Sequence, residues 1–92
     1  MARQRVKGLD GAVLIADDHA VLRHGVVSLL RKELGVKEFR EADTFPDALD
    51  ELAKRKFALA VFDIDMPGLD SPSGLVEVRQ QFPDVRVVVL SG

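Results

Sequence analysis

The chain has 92 residues, 47% of them hydrophobic, with 13 Lys and Arg against 15 Asp and Glu and a formal net charge of −2. That length supports one small domain and excludes two separate cores, while the charge balance excludes a nucleic-acid coat or polybasic membrane binder, which need clustered positive charge. The lack of cysteine excludes disulfides and thiol chemistry, and with no apolar run near the roughly 20 residues of a membrane span and no signal-peptide pattern, a cytoplasmic protein is expected.

Residues 1–11 carry Arg3, Arg5 and Lys7 before Gly8 and Gly11, and read as a flexible basic tail that leaves 12–92 as the domain. Ala12 to Ala16 is a continuous apolar run, the texture of a strand buried on both faces. Leu22, Val26, Leu29 and Leu30 then fall at helical spacing, and Gly35 is placed to end that helix. Lys37 to Ala42 is a more polar strand, suited to a sheet edge. Thr44 with Asp47 resembles a capping box, and Pro46 fits the first turn of a second helix reaching about Lys56, with Ala48, Leu49, Leu52 and Ala53 on one stripe.

Phe57 to Phe62 predicts a third strand. A loop over Met66 to Ser71 follows, then a helix that starts near Pro72, places Leu75, Val78 and Phe82 on one face, and is closed by Pro83. Val85 to Leu90 predicts a fourth strand. Short apolar strands alternating with amphipathic helices give an α/β fold with a parallel sheet. In such sheets, ligands bind in the crevice at the carboxyl ends of the strands.

Asp17 and Asp18 close the first strand, Asp63 the third and Ser91 the fourth. If the first and third strands are neighbours, three carboxylates meet in one crevice, and a hard divalent cation such as Mg²⁺ relieves their repulsion. A carboxylate beside such a metal can serve as a nucleophile and form an aspartyl phosphate.

Ala12 to His19 followed by Val21-Leu22-Arg23-His24-Gly25, Val61 to Gly68 with its Asp-x-x-Met-Pro-Gly, and Val87 to Gly92 together resemble a response-regulator receiver domain. The likeness is to the NarL/FixJ (LuxR-type) subfamily and ends after the fourth strand. It implies a flavodoxin-like (CheY-like) three-layer fold of strand order 2-1-3-4, truncated before the fourth helix, fifth strand and fifth helix. It further implies a phosphoacceptor module, not a turnover enzyme, with a histidine kinase as partner, Mg²⁺ as cofactor and a DNA-binding output domain in a longer parent. On the matching positions, Asp63 would take the phosphoryl group and contact the metal. Asp18 would bind the metal directly, Asp17 through water and Asp65 through its backbone carbonyl. Ser91 and Gly92 would form the switch. The likeness makes His19 a loop residue without a catalytic role.

Two departures carry expectations. The family's fifth-strand lysine has no counterpart among Lys7, Lys32, Lys37, Lys54 and Lys56, so no catalytic lysine is assigned. The fourth strand would lie at an open apolar edge, which predicts a dimer or higher oligomer. Gly74 stands about three places later after Pro67 than in the family, and the added Leu69 to Ser73 material reads as a surface insertion. Two alternatives are a phosphate-independent interaction module, and a haloacid-dehalogenase-type phosphatase using Asp63-Ile64-Asp65. The latter family keeps its nucleophile on the first strand and has Thr or Val where Pro67 stands. Neither direct nucleic-acid binding nor membrane binding is expected of this chain.

Overall fold

Five apolar residues, Ala12–Ala16, form β1, and every one of them is buried. Such a strand has no solvent face, so it must lie inside a sheet covered on both sides. In the computed structural model, which describes residues 11–90, β1 indeed lies between two parallel neighbours. It pairs with β2 (Phe39–Ala42) on one side and β3 (Phe57–Asp63) on the other, and β4 (Arg86–Leu90) pairs with β3. The order is β2-β1-β3-β4, with helices α1 (Ala20–Leu34), α2 (Phe45–Lys54) and α3 (Ser73–Gln81) in the crossovers.

Side chains alternate along each strand and so divide between two apolar layers. Leu14, Ala16, Ala60 and Phe62 face the layer built with Phe45, Ala48 and Leu52 of α2 and Leu75 and Val78 of α3. Val13, Ile15, Leu59 and Val61 face the layer completed by Val26, Val27, Leu30 and Leu34 of α1. Burying side chains the size of Phe62 or Leu14 contributes about 1.5–3 kcal/mol each.

Local chemistry fixes the element ends. Gly35 closes α1 in the left-handed region at φ 67°, its N–H donating to the Arg31 carbonyl. Thr44 caps α2 by accepting the Asp47 N–H at 3.2 Å, with Pro46 in the first turn. The inward stripe of α1 is a correction: Leu22 and Leu29 are exposed, and Val27 and Leu34 pack inward with Val26 and Leu30. Several stripes of a helix rich in Val and Leu satisfy the same spacing, and packing against Val13, Ile15, Leu59 and Val61 selects one. Likewise Ala53 is exposed on α2, while Phe45 enters the core at its start.

The loop after β3 departs from a plain surface insertion. Leu69 is buried and reaches into the layer around Phe45. The Phe45 N–H donates to the Pro67 carbonyl at 2.8 Å, tying this loop to the start of α2. Gly68 adopts φ +89°, where a Cβ would meet Pro46 Cδ at 2.6 Å. The basic tail lies outside the described residues apart from Gly11, as do Ser91 and Gly92.

Candidate functional site

The site forms where β1 and β3 end side by side. Ala16 stands opposite Phe62 in the register, so Asp17 and Asp63, the residues that follow them, lie at the ends of the two strands on the same rim. Asp17 continues the β1–β2 ladder by one bond, its N–H donating to the Ala42 carbonyl at 2.9 Å, and only 1% of the residue is exposed. Asp63 is the last residue of β3, opposite Leu90, and is also buried. Its Oδ1 accepts the Asp65 N–H at 3.0 Å, which fixes the carboxylate's orientation. Asp18 is more exposed.

His19 enters this group. Its N–H donates to Asp17 Oδ1 at 2.8 Å, and its ring Nδ1 lies 2.9 Å from the same oxygen. Nδ1 also lies 3.1 Å from Asp18 Oδ1 and 3.5 Å from Asp63 Oδ2. One ligand atom from each of Asp17, Asp18, His19 and Asp63 falls within 4.8 Å of the other three. The hydrogen bond to Asp17 and the negative charge of Asp18 raise the imidazole pKa above its usual 6.5.

Arg23, one helical turn after His19, fastens the turn from behind. Its Nη1 donates to the Asp17 carbonyl at 2.5 Å, and its Nε to Glu41 Oε1 at 2.7 Å. The guanidinium thus joins α1, the end of β1 and β2.

Asp17 supplies the test of whether a cation fits. Its Oδ1 accepts from His19, but its Oδ2 is buried without a hydrogen-bond partner among the described residues. A buried carboxylate oxygen left unpaired is costly. A hard cation or a cation-bound water satisfies it, and the oxygen-rich donor set suits Mg²⁺. The residues therefore fit such an ion.

The structure brings Asp17, Asp18 and Asp63 together. At Asp65 it shows the backbone N–H engaged with Asp63, and the side chain is exposed. Among the described residues no lysine pairs with the three carboxylates; the basic side chain against all three is the His19 imidazole. His19, read from the sequence as a loop residue without a catalytic role, lies against all three carboxylates, and Arg23 is the residue that sequence reasoning missed. Their signal was the placement of an imidazole directly after the acidic pair and a guanidinium one turn later.

Comparison with known proteins gives a consistent result. The sequence pattern of the response regulator receiver domain matches residues 13–92. The chain is 33% identical over 79 residues to the transcriptional regulatory protein YhcZ of Bacillus subtilis, covering 86% of this chain and 37% of YhcZ. It is 31% identical over 80 residues to the Fimbriae Z protein of Escherichia coli K12, covering 87% and 38% respectively. The chain thus spans little more than a third of the length of these relatives. Among solved structures, the response regulator TrrA of Thermotoga maritima in complex with Mg²⁺-BeF superposes with a TM-score of 0.78 at 26% identity, covering 89% of this chain and 70% of TrrA. RcsB of Salmonella enterica serovar Typhimurium, bound to promoter rprA with the phosphomimetic BeF3⁻, gives 0.79 at 25% identity, covering 89% and 42%.

Proposed function

The chain belongs to the response-regulator receiver family, and on that premise we propose that Asp63 accepts a phosphoryl group from the phosphohistidine of a histidine kinase. A carboxylate oxygen of Asp63 attacks phosphorus and forms an acyl phosphate as the P–N bond of the donor breaks. The departing imidazole nitrogen takes a proton from solvent. The Asp65 N–H holds Oδ1 and so orients the attacking group. Asp18 and Asp63 would hold Mg²⁺ directly, Asp17 through water and Asp65 through its carbonyl. The bound ion would neutralise the phosphoryl oxygens.

We assign Ser91 the hydroxyl that hydrogen-bonds the phosphoryl group and Gly92 the space beside it. The chain on this reading is a phosphoacceptor, not a turnover enzyme, and works in the cytoplasm. In a longer protein it would govern a DNA-binding output domain, as the relatives' names suggest by analogy. The convergence of Asp17, Asp18 and Asp63 at one rim carries this reading. Incubation with acetyl phosphate and Mg²⁺ should add one phosphoryl mass to the intact chain, and Asp63→Asn should abolish the adduct. An equal adduct on the variant would overturn the assignment.

One observation favours a second role as an assembly module. Val88 and Val89 of β4 are 44% and 43% exposed, and among the described residues β4 pairs on one side only. We propose that the 92-residue chain self-associates along this edge.

A further inference from the structure

We propose that Leu69 is a positioning residue for phosphoryl transfer to Asp63: its side chain pins the β3–α3 loop so that the Asp65 N–H stays on the Asp63 carboxylate. This rests on the phosphoacceptor reading above and adds to it a residue that touches none of the reacting atoms.

Three observations carry it. The first is the burial pattern of the loop. From Pro67 to Pro72 every residue is exposed except Leu69, which is buried in the layer that holds Phe45 and Leu75. Truncating such a side chain removes packing that its exposed neighbours cannot replace. The second is a run of backbone bonds from this anchor to the site. The Leu69 N–H donates to the Met66 carbonyl at 3.2 Å, and the Met66 N–H donates to the Asp63 carbonyl at 3.3 Å. Inside the same turn, the Asp65 N–H donates to Asp63 Oδ1 at 3.0 Å.

The third is the tightness of the seat. A Cβ on Gly74 would lie 2.8 Å from Leu69 Cδ1 and 3.4 Å from Phe45 Cζ, so the leucine fills a slot that only glycine leaves open. The Phe45 N–H, on the Pro67 carbonyl at 2.8 Å, ties the loop to α2 two residues before the anchor. A carboxylate held in one orientation attacks without first losing rotational freedom, and small misplacements of a reacting group cost large factors in rate. Loss of the anchor lets the turn shift, frees Oδ1 to rotate and slows the attack on phosphorus.

The test follows Asp63 phosphorylation by acetyl phosphate and Mg²⁺ through intact mass against time. The carboxylate attacks phosphorus, the bond from phosphorus to the acetyl oxygen breaks, and acetate leaves. Leu52 of α2, buried in the same layer, supplies the control, since Leu52→Ala deletes the same atoms away from the loop. Rates are compared per folded molecule, with the folded fraction taken from urea unfolding. At saturating acetyl phosphate, Leu69→Ala should be slower than wild type by at least about fivefold. Leu52→Ala should stay within about twofold of wild type, and Leu69→Met, close in volume, should recover most of the rate. In the phosphate-free chain, the Asp65 amide should exchange with solvent faster in Leu69→Ala than in Leu52→Ala. If either alanine variant fails to fold, Leu69→Val and Leu52→Val replace the pair.

Equal rates per folded molecule in the two variants, or equal Asp65 amide exchange, would overturn the proposal and leave Asp63 standing as the phosphoacceptor. No adduct on the wild-type chain would overturn both.

Discussion

At Asp17 the backbone and the side chain have separate guardians: the Arg23 guanidinium takes the carbonyl, and His19 takes one carboxylate oxygen. Removing the guanidinium leaves the Asp17 carbonyl and Glu41 without this donor. Arg23→Ala should therefore lower stability by about 1–2 kcal/mol in urea unfolding and weaken Mg²⁺ binding as the acidic turn loosens. The imidazole offers a pH readout. In the cation-free chain, the His19 ring should titrate above 6.5 by NMR, and Asp17→Asn should lower that midpoint, since the Asp17 contact is the largest cause of the shift. This contact contributes fully to folding stability below pH 6.5 and fades as pH rises through the higher folded value. Asp17, Asp18 and Asp63 were legible in the sequence because each ends an apolar run, and strand ends of a parallel sheet share a rim. The contacts of His19 and Arg23 were not, because side-chain directions at the start of α1 are set by the fold and not by the residue pattern.

Among the elements, the β3–α3 loop and the start of α2 behave as one unit. The Phe45 N–H bonds to the Pro67 carbonyl, Leu69 packs in the Phe45 layer, and a Cβ at Gly68 would run into Pro46. Gly68→Ala would need a left-handed backbone and a Cβ at 2.6 Å from Pro46 Cδ, so it should cost about 1–3 kcal/mol, measurable as a lower denaturant midpoint. Thr44→Ala removes the α2 cap and should cost about 1 kcal/mol in the same assay. The four strands and three helices were readable from period and punctuation, with ends shifted by a residue or two, as at β2 and α2. The core role of Leu69 was hidden, since a single leucine among Gly, Asp, Ser and Pro carries no periodicity.

Over the whole molecule, the sheet order β2-β1-β3-β4 sets the carboxylates side by side and leaves one face of α1 and one edge of β4 in solvent. If the 92-residue chain associates through that edge, light scattering should show a concentration-dependent mass, and Val88→Lys should shift it toward the monomer. A compact wild-type monomer at all concentrations would refute this. The strand order followed from family resemblance, since alternating strands and helices alone permit several orders. Signalling by this fold requires the three carboxylates to act as one cation site. The most direct measurement is a Mg²⁺ titration followed by ¹H–¹⁵N correlation spectra. The amides of residues 17–19 and 63–66 should shift together along one binding curve, and Asp18→Asn should flatten it. Shifts scattered elsewhere, or a curve that Asp18→Asn leaves intact, would contradict it.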